Sequence, residues 1–80
     1  MNYQAKVINR YKEDGYLVLN VIKLSDNGYP DLIALKDGKA IFIECKTGND
    51  TLKPLQKFRI DELKKQGFEA YCLKDDKVIY

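Results

Sequence analysis

Apolar and polar positions alternate between two periods along this chain, and the changes of period mark its elements. From Asn2, a residue suited to capping a helix N-terminus, Ala5, Val7, Ile8 and Tyr11 recur at helical spacing until Gly15 breaks the pattern. The run YLVLNVIKL, Tyr16 to Leu24, is rich in β-formers and ends in the turn cluster Ser25-Asp26-Asn27-Gly28, so it predicts a first strand. Pro30, which has no main-chain donor, suits the entry of a second strand, Asp31 to Leu35. Asp37-Gly38 then predicts a tight type I′ turn into a third strand, Lys39 or Ala40 to Lys46. Pro54 stands at a first helical position; Leu55, Phe58, Ile60 and Leu63 give that second helix an apolar side, and Gly67 closes it. Phe68 to Leu73 and Lys77 to Tyr80 complete the chain as two short strands around Asp75-Asp76. The predicted order is α-β-β-β-α-β-β, without repeat, linker or low-complexity tract, in a single domain over residues 1–80.

The hairpin has a register that arithmetic supplies. With Asp37-Gly38 as its two-residue loop, facing residues have numbers that sum to 75, so Leu35 faces Ala40, Ile33 faces Phe42 and Asp31 faces Glu44. Leu32 with Ile43 and Ala34 with Ile41 form a second apolar face. Both faces then need cover, which the two helices supply in an α/β sandwich. Two carboxylates are thereby placed about 4.5–5.5 Å apart at Cβ, and Lys46, two residues beyond Glu44, shares their face. Opposed like charges destabilise a sheet unless something positive compensates. A divalent cation such as Mg²⁺ or Mn²⁺, held by carboxylates, a carbonyl and water, is one answer. An ion-pair triad closed by the Lys46 ammonium at the surface is the other, and geometry alone weighs the two equally.

Composition narrows the chemistry. At 80 residues the chain buries about 60% of the surface its unfolded form exposes, so its core is thin and self-association is favoured. No apolar run is long enough to span a bilayer and no signal-peptide order is present, which together predict a cytoplasmic protein without membrane contact. The two cysteines, Cys45 and Cys72, fall in apolar strands and read as buried thiols. With no histidine and no paired-cysteine motif, structural zinc and any Ser-His or Cys-His nucleophile system are set aside. Catalysis would have to use carboxylates, lysine, main-chain groups or an oxygen-bound metal. Net charge is only +2, yet Lys46, Lys53, Lys57, Arg59, Lys64 and Lys65 are concentrated after the hairpin, a distribution suited to a phosphate backbone.

Pro30-Asp31 followed by Glu44-Cys45-Lys46 resembles the PD-(D/E)XK motif of metal-dependent nucleases, whose core has the same element order. More narrowly, GYPDLIAL, FIECKTG, Pro54-Leu55-Gln56 and Gly67-Phe68-Glu69-Ala70 together resemble the VRR-NUC domain family over nearly the full chain. The resemblance implies a restriction-endonuclease-like fold, with a mixed sheet flanked by helices. It also implies that Asp31, Glu44 and the Cys45 carbonyl bind Mg²⁺ or Mn²⁺, that Lys46 orients or helps deprotonate the attacking water, and that Gln56 reaches toward the same site. Stand-alone relatives are similar to junction resolvases, which implies branched DNA such as a four-way (Holliday) junction as substrate and a homodimer as the working unit. An acid usual early in the family's first helix is absent here, where only Asn2 and Gln4 stand. Gln4 could substitute as a neutral group behind the metal ligands. Lys53 and Lys57 are expected to touch phosphate; Gly28 and Tyr29 are expected to approach DNA, though a turn and packing explain them as well. The competing class is a catalytically silent nucleic-acid-binding or assembly module of the same fold.

Overall fold

The structure, a computed structural model, describes residues 2–80. Helix α1 spans Tyr3–Glu13, and its first turn is closed by the Asn2 side chain, whose Oδ1 accepts from the Ala5 amide at 2.8 Å. Strands β1 (Leu17–Asn20), β2 (Leu32–Lys36) and β3 (Lys39–Lys46) follow, then helix α2 (Pro54–Lys65) and strands β4 (Glu69–Lys74) and β5 (Lys77–Val78). They form one mixed sheet in the order β1-β2-β3-β4-β5, antiparallel except for the parallel β3–β4 pair that α2 connects. This is the restriction-endonuclease-like α/β arrangement expected from the sequence.

The hairpin register holds at every pair, from Lys36–Lys39 to Leu32–Ile43. Asp37 and Gly38 both take positive φ, 54° and 76°, as a type I′ turn requires. Alternation along β2 and β3 then builds two cores. Leu32, Ala34 and Ile43 pack under Val7 of α1, with Val18, Ile41 and Tyr71 around them. On the other face Phe42, Ala70 and Cys72 pack under Ile60 and Leu63 of α2. Cys45 joins the α1 side and Cys72 the α2 side, so the sheet separates the thiols and no disulfide joins them. Burial pushes the Cys45 thiol up to about 12 and the Cys72 thiol to about 11, which keeps both protonated and unreactive.

Two expected elements are shorter than the apolar pattern indicated. The first strand ends at Asn20 rather than Leu24, leaving Ile22 92% exposed. Pairing reaches one step past the ladder, through the Val21 amide to the Asp31 carbonyl at 2.7 Å, and stops there, because residues 25–30 are not strand and leave residues 22–24 no neighbour to pair with. At the other edge β5 stops at Val78, although the Ile79 amide still reaches the Cys72 carbonyl at 2.9 Å.

Gly28 belongs to packing on α2. Its φ is +88°, and a Cβ placed there would lie 2.7 Å from Leu55 Cγ and 3.3 Å from Arg59 Cγ. Gly28→Ala therefore meets both an unfavourable backbone region and a crowded neighbour, and is expected to destabilise the domain by about 1–2 kcal/mol in denaturant unfolding. An unchanged unfolding midpoint would show that the 25–28 turn does not dock on α2 as described.

Candidate active site

Both carboxylates of the hairpin end face a common point, but not by the simple opposition expected of them. The β2–β3 ladder stops at Leu32–Ile43, one step short of Asp31. Asp31 Oδ2 instead accepts from the Cys45 amide at 3.3 Å, supplying with a side chain the acceptor that a continued ladder would supply from the main chain. Glu44 lies one residue before that amide, on the α2 face with Phe42.

Glu44 is the only buried charged side chain among the described residues, at 3% exposure. Its Oε2 receives Gln56 Nε2 at 3.3 Å and Lys46 Nζ at 3.4 Å. Lys46 is itself nearly covered, with 12% of its side chain exposed. Gln56 is fixed from behind, since its Oε1 accepts the Lys53 amide at 2.9 Å. That bond is the half of a capping box that a lysine cap permits, because lysine has no side-chain acceptor to return the other half. One glutamine thus secures the start of α2 and orients the buried carboxylate. Pro54 at the helix entry and Lys53 in extended conformation place it there.

The electrostatics do not balance within the protein. Burial, and after it the charge of Asp31, push the Glu44 carboxyl up to about 7, although the Lys46 ammonium pulls the other way. One lysine faces two carboxylates. The Lys46–Glu44 ion pair does form, but buried and not at the surface, and the Asp31 carboxylate stands beside it without an ion pair of its own. Among the described residues no three His, Cys, Asp or Glu side chains cluster as a ligand set. A cation held here would therefore complete its shell from carbonyl and water oxygens, which suits Mg²⁺ or Mn²⁺ and not zinc.

The remaining expected residues divide. Tyr29 is turned onto α2, where its hydroxyl donates to Glu62 Oε1 at 2.5 Å and Arg59 lies over its ring at 4.6 Å. Arg59 also donates to the Asn27 carbonyl at 3.0 Å. Tyr29, Gly28 and Arg59 thus form a packed corner against α2, with Gly28 and Tyr29 both half-buried. Lys53 and Lys57 are exposed, and Lys57 lies 5.8 Å from the centroid of the Tyr80 ring. Gln4 donates to Asn20 Oδ1 at 3.0 Å, which ties α1 to the end of β1.

A lysine that the sequence reading passed over stands beside the site. Parallel pairing sets Lys74 of β4 against Lys46 of β3, and registered neighbours share a face. Only the β3–β4 register reveals this, and no local pattern encodes the register of a parallel pair joined through a helix.

The VRR-NUC domain family profile matches residues 3–75. A solved VRR-NUC domain is 25% identical with a TM-score of 0.79, covering 91% of this chain and 81% of that one. A solved VRR-NUC domain protein is 32% identical with a TM-score of 0.53 over 85% of this chain and 52% of its own. Archaeoglobus fulgidus Hjc, a Holliday junction resolvase from an archaeal hyperthermophile, is 17% identical with a TM-score of 0.69, covering 90% of this chain and 64% of that one, a likeness of fold. The chain spans about half the length of the second of these and under two thirds of the third. No curated protein matches the sequence.

Proposed function

Because this chain belongs to the VRR-NUC domain family and carries its nuclease fold, we propose that it is a metal-dependent endonuclease that hydrolyses DNA phosphodiester bonds, with branched DNA such as a four-way junction as the favoured substrate. The observation that carries this reading is Glu44: a carboxylate buried to 3% exposure, raised to about 7, with Asp31 nearby and Lys46 in ion-pair contact.

Asp31, Glu44 and the Cys45 carbonyl would hold Mg²⁺ or Mn²⁺. Such an ion, when bound, polarises the phosphate and eases loss of a proton from water. The chain's own residues do the rest. Gln56 holds the Glu44 carboxylate in one orientation through a bond anchored at the start of α2. Lys46, nearly enclosed and charged, lies where it can orient a water and stabilise negative charge that builds on the scissile phosphate, an interaction strengthened by exclusion of solvent. Lys53 and Lys57, exposed on the first turns of α2, supply phosphate contacts that position the strand without reading bases.

A homodimer fits the same reading. Leu17 and Leu19 share the α2 face of the sheet with Ile33, Leu35 and Phe42, yet stay 62% and 44% exposed, because α2 covers β4 and not β1. A second copy seated there would bury this apolar surface and present two sites to a junction. Among the described residues no helix is long and apolar enough to cross a membrane.

The test is cleavage of a labelled four-way junction, a flap and a linear duplex, with Mn²⁺ and with excess chelator. We expect nicking only with metal, the junction cut most, and Lys46→Gln slower by about a hundredfold. Binding without cutting under every condition would instead identify a silent module of this fold.

A further inference from the structure

One strand over from the proposed active site lies a recess of about 250 Å³ between the 50–52 loop, Lys57 of α2, Lys74 at the end of β4, and Ile79 and Tyr80 after β5. We infer that this recess holds an unpaired DNA nucleotide next to the scissile phosphate, with Lys74 and Lys57 on its phosphate and the Tyr80 ring against its base. The inference rests on the nuclease reading for its placement, and extends it to the form of DNA the site accepts.

Three observations carry it. First, Lys74 is one strand over from Lys46, about 4.8 Å away in the sheet and on the same face, so whatever lies on Lys46 has Lys74 as its neighbour. Second, neither Lys57 nor Lys74 has a carboxylate within ion-pair distance among the described residues, whereas Lys46, Arg59 and Arg10 each have one. The recess therefore sets two ammonium groups, neither in an ion pair, beside the Asp50 carboxylate, with Asp61 engaged by the Tyr80 hydroxyl, an arrangement suited to an anion. Third, the Tyr80 ring is held, not loose. The Ile79 amide bonds the Cys72 carbonyl at 2.9 Å, the Tyr80 hydroxyl donates to Asp61 Oδ2 at 2.9 Å, and Lys57 and Lys64 lie 5.8 and 5.3 Å from the ring centroid. A fixed aromatic ring flanked by lysines is the combination that binds single strands through stacking and charge. The recess is open to solvent, so a nucleotide can seat its base against the Tyr80 ring without being enclosed.

The experiment is fluorescence anisotropy in chelator, where nothing is cut, with a short duplex bearing a single-stranded tail and the same duplex blunt-ended, across a salt series. For the unaltered protein we expect the tailed DNA to bind about tenfold more tightly. Tyr80→Ala and Lys74→Gln are each expected to remove most of that preference, and Lys74→Gln to lower the salt slope by about one. Tyr80→Phe, which keeps the ring and loses the Asp61 bond, should retain it, and this separates stacking from damage to the fold. Equal affinity for tailed and blunt DNA, or variants that keep the full preference, would overturn the recess while metal-dependent cutting by the unaltered protein still upheld the nuclease. A tail preference lost in the variants, in a protein that never cuts, would uphold the recess and sink the nuclease.

Discussion

Glu44→Gln is expected to abolish cutting, by at least about a thousandfold, while leaving the fold intact and freeing its stability from pH. Both effects have one cause. The wild-type carboxyl is raised from its ordinary 4.5 to about 7, first by burial and then by Asp31. Between those values the folded chain keeps a proton that the unfolded chain has released. The stability this contributes is complete below about pH 4.5 and is lost as pH rises through 7. Glutamine fills the same space, still accepts from Gln56 or Lys46 through its carbonyl, and has no charge to desolvate; Asp31 remains to balance Lys46. In chelator, thermal unfolding of the wild type should therefore weaken from pH 5 to pH 8, and that of Glu44→Gln should change far less. A variant that cuts normally, or a wild type whose unfolding shows no decline over that range, would contradict the assignment.

This trade is visible in how the site is built. A sheet gains nothing from a carboxylate under α2, and the neighbours Gln56 and Lys46 hold Glu44 in place without neutralising the pair. Strain of this kind is retained where function needs it.

Much of this was legible in the chain. The Asp37-Gly38 turn set the hairpin register, and with it the meeting of Asp31, Glu44 and Lys46, because a two-residue loop leaves one pairing. Asn2, Pro54 and Gly67 marked helix ends by local chemistry that tertiary structure did not override. Other features depended on distant partners. Residues 22–24 read as strand because they continue a run of β-formers, yet pairing needs a neighbour, and beyond the Val21–Asp31 bond the opposing residues 25–30 are not strand. Gly28 read as a turn glycine open to DNA; the Leu55 side chain that makes glycine necessary there comes from 27 positions further along the chain. Lys74 stayed hidden because a parallel register follows from how α2 packs, not from any short motif.

The second large effect is proton-coupled cation uptake. Burial and Asp31 raise the Glu44 carboxyl to about 7, so below that pH a divalent cation entering between the two carboxylates must displace a proton. Titration calorimetry with Mn²⁺ in two buffers of different ionisation enthalpy measures both events at once. We expect Mn²⁺ to bind with proton release that grows as pH falls from 8 to 6, and both to be lost in Glu44→Gln. No Mn²⁺ uptake by the wild-type chain, or equal uptake by Glu44→Gln, would show that these carboxylates do not hold a metal.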